Sequence, residues 1–248
     1  TVALGLPRFV QAHENNPQGA HASRFTGAPT DAHDGEASGA VSDTPPPPPV
    51  WQVSNSVEVF TADTLPYPLT ADTQHTPVRY HYDKRHLVPF GEFIPEGFHW
   101  FMTLMSIPLG DQARGPAQQP LLSIRSQRIG FNICYEDIFG EELLSQVKGT
   151  RNGKGTYTGG ATILANLTNL GWFGNSHALP QHLQIARMRA LETARPIIRA
   201  TNTGMTAVIS ARGIVQIRLR PHETGTLKAT LQGHTGLTPY VRLGGNAP

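Results

Sequence analysis

The sequence predicts an α/β layered fold, and three observations carry that prediction. Short apolar runs fit for buried strands lie at residues 128–134 and 161–166. A stretch with helical spacing follows each of them, 137–147 after the first and 180–194 after the second. The chain then returns to strands at 197–201, 205–210 and 214–218. Strands mixed with helices in this order form a sheet covered by a helical layer. A length of 248 residues suits one large domain with a proper core.

Taken in order, Val2-Ala3-Leu4-Gly5-Leu6-Pro7 reads as a strand. Its surroundings have neither the basic segment nor the small-residue cleavage site of a signal peptide, so the chain is expected to be a piece of something longer. From about 13 to 50 the residues are mostly Gly, Ala, Ser, Asp, Thr and Pro, with almost no large aliphatic residue, and the segment ends in the proline run at 45–49. Such a segment cannot bury enough apolar surface to offset its ordering entropy, so a disordered, low-complexity insertion is expected there. Residues 51–60 alternate in part and predict a strand, and the proline-bearing stretch 61–76 predicts a loop. The apolar run 128–134 ends on Cys134, which is thereby expected at a strand-to-helix turn. After the second buried run comes a polar, Gly-rich loop at 167–176. Pro180 fits the first turn of the next helix, Leu179, Leu183, Ala186 and Ala190 repeat at helical spacing, and Pro196 ends it. Ala211-Arg212-Gly213 joins the last two strands as a hairpin.

Charge and composition exclude several classes of function. Twenty Lys+Arg against 18 Asp+Glu give a net charge of +2, far short of the basic stripe that neutralises phosphates, so no nucleic-acid partner is expected. The single cysteine, Cys134, cannot form an internal disulfide. No run reaches the ~18 consecutive apolar residues of a membrane-spanning helix. The 11 histidines are scattered or lie in the insertion, without metal-ligand spacing, and Gly153-Lys154 lacks the preceding glycine of a phosphate-binding loop. Neither a metal nor another cofactor is expected.

Two groups of residues carry chemistry. A lone cysteine is more often a small core hydrophobe than a nucleophile. Cys134, however, ends an apolar strand and is followed at once by Tyr135, Glu136 and Asp137, and strand ends facing a crevice are where open α/β sheets place their sites. A free thiol is only a few per cent thiolate at neutral pH, so catalysis calls for a nearby cation or base. The segment Tyr82-Asp83-Lys84-Arg85-His86-Leu87-Val88-Pro89-Phe90-Gly91-Glu92 supplies both types of group around an apolar run that does not seek solvent. A solvated turn is the plainer reading of such a charge cluster. The sharper one has Lys84 lowering a thiol pKa and stabilising an oxyanion while Glu92 moves protons.

That segment, together with Cys134-Tyr135-Glu136, Asn166-Leu167-Thr168-Asn169-Leu170-Gly171-Trp172-Phe173-Gly174 and Pro180-Gln181-His182-Leu183 onward to Gly204, resembles the apolipoprotein N-acyltransferases. These are bacterial inner-membrane enzymes whose periplasmic catalytic domain belongs to the nitrilase, or carbon-nitrogen hydrolase, superfamily. The resemblance covers most of the chain outside the insertion. It implies an α-β-β-α sandwich, truncated here at its N-terminal side, and a Glu-Lys-Cys triad. In that family the cysteine takes an acyl chain from a phospholipid, typically phosphatidylethanolamine, as a thioester. It then passes the chain to the free α-amino group of a diacylglyceryl-cysteine at a lipoprotein N-terminus.

Carried over by motif, Cys134 is the nucleophile, Lys84 the triad lysine and Glu92 an additional active-site glutamate. Tyr135 and Glu136 match the required pair after the cysteine, and Trp172 the tryptophan of a loop near the site. The triad glutamate is expected upstream of the strand that Val2-Ala3-Leu4 resembles, and Glu14 and Glu36, at or inside the insertion, do not replace it. The flanking membrane spans of the family are likewise not in this sequence, and these 248 residues alone are expected to be inactive. The alternatives are a soluble amidase of the same superfamily, in which water takes the acyl group, and a non-catalytic lipid- or partner-binding remnant.

Two further stretches have double readings. Residues 97–110 are uncharged and rich in aromatic residues and Met, as fits a core helix or an interfacial arm that admits lipid tails. Arg187, Arg189, Glu192, Arg195 and Arg199 read as structural ion pairs or a solvated face, with one of them available to a lipid phosphate.

Overall fold

The computed structural model describes residues 2–12, 50–60, 80–97, 112–151, 153 and 157–244. The low-complexity segment at about 13–50, the loop 61–76, the apolar stretch from 98 on, and Glu14 and Glu36 fall outside these residues apart from Val50.

Two sheets form the frame. Strands β1 (Val2–Ala12), β2 (Val50–Phe60) and β3 (Tyr80–Asp83) make an antiparallel sheet in the order β1-β2-β3. Strands β4 (Leu122–Ile124), β5 (Gln127–Ile133), β8 (Ile163–Thr168), β9 (Ile197–Thr201), β10 (Ala207–Ile209) and β11 (Val215–Arg218) make the second, six-stranded sheet. Its order is β11-β10-β9-β8-β5-β4, with β5, β8 and β9 parallel and the outer pairings antiparallel. Strands β6 (Gly149–Arg151) and β7 (Tyr157–Gly159) form a separate ribbon.

Strand alternation sends neighbouring side chains to opposite layers. Phe131, Ile133 and Ala165 meet Val57, Val59 and Tyr82 of the three-stranded sheet in one buried cluster. Leu164, Ile197, Ala207 and Ile209 face the other way, onto helices α1 (Gly140–Lys148), α2 (Ala178–Thr193) and α3 (Pro239–Leu243). The result is a layered α/β fold of sheet, sheet and helices. Among the described residues no α-helix packs on the outer face of the three-stranded sheet.

Three expectations shift in position. The single helix expected over 137–147 is two elements, a 3-10 turn (Cys134–Ile138) and then α1, because buried hydrogen bonds hold Glu136 and Asp137 and Phe139 breaks the helical path with φ −93 and ψ 82. The strand expected at 161–166 runs to Thr168, since its parallel register on β5 continues to Ile133 paired with Leu167. The strands expected at 205–210 and 214–218 are shorter, at Ala207–Ile209 and Val215–Arg218. The hairpin turn between them closes on Gly213 at φ +70, the left-handed region in which glycine carries no Cβ penalty.

Candidate active site

The site is built on the turn that ends β5. Cys134 has φ +52, a left-handed backbone that costs a non-glycine residue roughly 1–2 kcal/mol and persists only where surrounding contacts enforce it. Glu136 supplies many of those contacts. Its Oε2 accepts hydrogen bonds from the Ile133 amide (2.6 Å) and the Tyr82 hydroxyl (3.1 Å), and its Oε1 from the amides of Arg85 (2.7 Å) and His86 (3.1 Å). Burial raises its carboxyl pKa, and those same donors oppose the rise. Glu136 thus ties the chain leaving β3 to the turn that carries the cysteine.

That tie fixes the neighbour of Arg85. Lys84 is fully buried, with its amide donating to Asn55 O and its carbonyl accepting from Gly115 N, both at 2.8 Å. Its Nζ lies 2.7 Å from both Oε1 and Oε2 of Glu92. Asn55 Nδ2 (3.2 Å) and the Val88 amide (2.9 Å) also donate to the Glu92 carboxylate. With four contacts from three donor residues, that carboxylate holds Lys84 in place.

Cys134 lies within electrostatic reach of this ion pair. Burial raises the thiol pKa most, the Lys84 charge lowers it and the Glu92 charge raises it, while backbone hydrogen bonding from Tyr135 and Asn169 lowers it. The resting group is therefore the thiol. We predict that alkylation of Cys134 by iodoacetamide keeps accelerating with pH beyond the ordinary thiol range. A plateau reached by neutral pH, in a rate measured against pH, would contradict this.

Cys134, Tyr135, Glu92, Asn169 and His182 line a cavity of about 850 Å³. It opens at the C-terminal ends of β5, β8 and β9, where Ile133, Thr168 and Thr201 reach its wall, the position at which α/β sheets bind ligands. Its rim carries exposed apolar side chains: Phe90, Ile138, Trp172 and Phe173, with Trp172 83% exposed. Asn202 Oδ1 accepts from the Leu170 amide and Asn169 Oδ1 accepts from Asn202 Nδ2, which pins the loop bearing Trp172. Lys84 is behind the cavity wall, and Glu136 faces away from it, toward backbone amides. The structure therefore brings Cys134, Lys84, Glu92, Tyr135 and Trp172 around one cavity, with Glu136 beneath its turn.

Sequence reasoning gave no role to His182 or Asp137, and it read Arg199 only as one of several arginines in structural ion pairs or on a solvated face. Asp137 and Arg199 are fully buried and paired at 3.4 Å, and His182 Nδ1 is 3.9 Å from Asp137 Oδ2. A signal was present in the arginine interrupting the apolar strand 197–201 and in the carboxylates straight after Cys134. Arg195 is likewise buried, donating to the carbonyls of Ala161, Thr193 and Gly236, so the solvated-face reading is corrected for Arg195 and Arg199, and Arg189 pairs with Glu192 at 3.0 Å.

Burial, and after it the Arg199 charge, lowers the His182 pKa from 6.5 to about 4. The unfolded chain then binds the proton first as pH falls, so this group withdraws stability between pH 6.5 and about 4. His182→Gln removes the penalty. Relative to the parent, the variant is expected to gain about 3 kcal/mol over that interval, read from urea unfolding at each pH. A difference that does not change with pH would refute it.

Among the described residues no group of three His, Cys, Asp or Glu side chains could hold a metal ion. The family model for carbon-nitrogen hydrolase matches residues 69–240. The chain is 54% identical over 191 residues to an apolipoprotein N-acyltransferase of Bordetella bronchiseptica, covering 77% of this chain and 34% of that protein. It is 57% identical over 169 residues to an apolipoprotein N-acyltransferase of Ralstonia nicotianae, covering 68% and 31%. The chain thus spans about a third of the length of these curated relatives. Among solved structures, a carbon-nitrogen hydrolase from Helicobacter pylori is similar at 16% identity and TM-score 0.44, over 68% of this chain and 53% of that one.

Proposed function

Because the chain belongs to the carbon-nitrogen hydrolase family, we propose that its residues form the catalytic domain of an apolipoprotein N-acyltransferase, interrupted by the segment at about 13–50. The observation that carries the reading is Cys134 on a strained turn, beside the buried ion pair of Lys84 and Glu92, in a cavity rimmed by exposed aromatic side chains. The names of the relatives support the choice of reaction.

In the first half-reaction a base removes the Cys134 proton and Sγ attacks the ester carbonyl of a phospholipid of the phosphatidylethanolamine type. The Lys84 charge and the Tyr135 amide favour the thiolate and the oxyanion that follows. Collapse of that intermediate breaks the ester C–O bond, and the lysolipid leaves with the proton. In the second, the α-amine of a diacylglyceryl-cysteine apolipoprotein attacks the thioester, the C–S bond breaks and the thiol is regenerated. Glu136 acts by positioning the turn, and Trp172 and Phe173 contact the acyl chain.

The apolar rim fits a membrane surface, which burial of such side chains in the headgroup boundary would stabilise. No helix among the described residues is long and apolar enough to cross a membrane. Placement at the periplasmic face of a bacterial inner membrane belongs to this proposal, and the apolar rim supports it.

The test uses the full-length gene product in vesicles containing phosphatidylethanolamine labelled in its acyl chains, with a diacylglyceryl-cysteine peptide bearing a free amine. Label is expected on Cys134 as a hydroxylamine-sensitive thioester and then on the peptide, and Cys134→Ser should abolish both. Release of the label as free fatty acid, with the peptide untouched, would reassign the chemistry to hydrolysis.

A further inference from the structure

Beneath the Cys134 turn, on the helix side of the six-stranded sheet, lies a set of sealed polar side chains that acyl transfer as described does not use. Arg199 on β9 heads the fully buried side chains of the described residues by volume. Its Nη1 donates to Asn166 Oδ1 at 2.8 Å and lies 3.4 Å from Asp137 Oδ2. Asn166 in turn hydrogen-bonds Asn132 on β5 and the Thr168 hydroxyl on β8. Asp137 stands three residues after the nucleophile in the same 3-10 turn and is fully buried. The other titratable groups around it are Arg189, Glu136 and His182.

Stability does not account for this pair. The same face of the sheet is otherwise core, with Ile197, Ala207 and Ile209 packed on the helices. A buried ion pair at such a position is generally no better for stability than apolar residues of similar volume, because desolvation offsets the attraction. Here Arg199 Nε and Nη2 and Asp137 Oδ1 have no hydrogen-bond partner, which lowers the net gain further. What the pair does accomplish is geometric. Glu136 fixes one side of the Cys134 turn to the chain leaving β3, and Asp137 fixes the other side to β8 and β9 through Arg199 and Asn166. Between the two anchors sits a cysteine at φ +52.

We propose that the pair of Asp137 and Arg199 is a positioning device for the nucleophile, holding the Cys134 turn in its reactive conformation and thereby setting the rate of thiol chemistry rather than the stability of the fold. The inference rests on Cys134 being the nucleophile assigned above. Arg199 also places a cation close enough that an ionised Cys134 stabilises it, so the charge and the thiolate support each other.

Two variants of the full-length gene product test it. Replacing both partners by apolar residues, Asp137→Leu with Arg199→Met, is expected to leave the unfolding midpoint at or above that of the parent. Cys134 alkylation by iodoacetamide is expected to slow at a given pH, its pH midpoint moving upward with the loss of the Arg199 charge. Thioester formation, which needs the thiol oriented on a bound ester, should fall about 100-fold through kcat, the cost of a displacement near 1 Å, with KM unchanged. Should the double variant not fold, the near-isosteric Asp137→Asn carries the test, with a melt lowered by the unpaired Arg199 charge and, in the protein that remains folded, alkylation slowed at least tenfold. A folded variant alkylated at the parental rate with an unmoved midpoint overturns the inference. Because alkylation requires no lipid, slowed alkylation in a protein that forms no thioester even as the parent would uphold the positioning role and overturn the acyltransferase reading instead.

Discussion

Lys84→Met is expected to slow thioester formation on Cys134 by about 10²–10³-fold, the usual cost of removing one preorganised oxyanion-stabilising group. The charge of Lys84 acts on the Cys134 thiol from a site with no solvent exposure, where screening is weak. The substitution also strands the Glu92 carboxylate. Glu92 keeps its hydrogen bonds from Asn55 and the Val88 amide but loses its ionic partner Lys84, at 2.7 Å. Breaking a buried pair from one side costs about 3–5 kcal/mol, and because Glu92 is 14% exposed the lower end applies. Rapid-quench measurement of the acyl-enzyme and a urea titration read the two effects separately. Lys84→Met/Glu92→Leu should recover much of the stability and none of the rate. A double variant with parental acylation would remove Lys84 from the chemistry.

The second large effect is expected at Glu136. Glu136→Ala leaves the amides of Ile133, Arg85 and His86 and the Tyr82 hydroxyl without their acceptor in a buried site. Each orphaned donor costs about 1–3 kcal/mol, so a loss of about 4 kcal/mol or more is expected even with partial rearrangement. The turn should loosen with it, held to β3's exit by the packing of the His86 ring on Phe139 and Tyr135 instead of by hydrogen bonds to a carboxylate. Glu136→Gln keeps one acceptor oxygen but turns an NH₂ toward two donors, so it should recover less than half of the loss. Amide exchange at Arg85 and His86 checks the local claim. Protection equal to that of the parent in Glu136→Ala would show that other contacts hold this turn.

Much of the fold was legible because burial imposes a period on the sequence. The strands on 51–60, 128–134 and 197–201 were readable from apolar runs, and α2 from its 3.6-residue repeat closed by Pro196. The shifts occur where polar residues serve the interior. Thr168 belongs to β8 although it reads as loop, because its hydroxyl is satisfied by Asn166 inside the core. Asp137 reads as the start of a helix, yet it is buried with Glu136 in a 3-10 turn because their partners come from other elements.

By itself the sequence determined an α/β architecture, one nucleophile candidate at a strand end, and a charged segment of unusual apolar content at 82–92. Only the tertiary structure decided what those charges do. Lys84 and Glu92 are eight residues apart and meet through the turn at Val88, which local sequence can encode. Glu136 acts on residues about 50 positions away and Asp137 on one 62 away, and such contacts exist only once the sheets have closed. Residue type fixes what a side chain is able to donate, accept or ionise, whereas its partner depends on which strands pack side by side. That long-range choice, made by the burial of Val57, Phe131, Leu164 and Ile197 in their respective layers, turned Asp137 and Arg199 from two isolated charges into a support for Cys134.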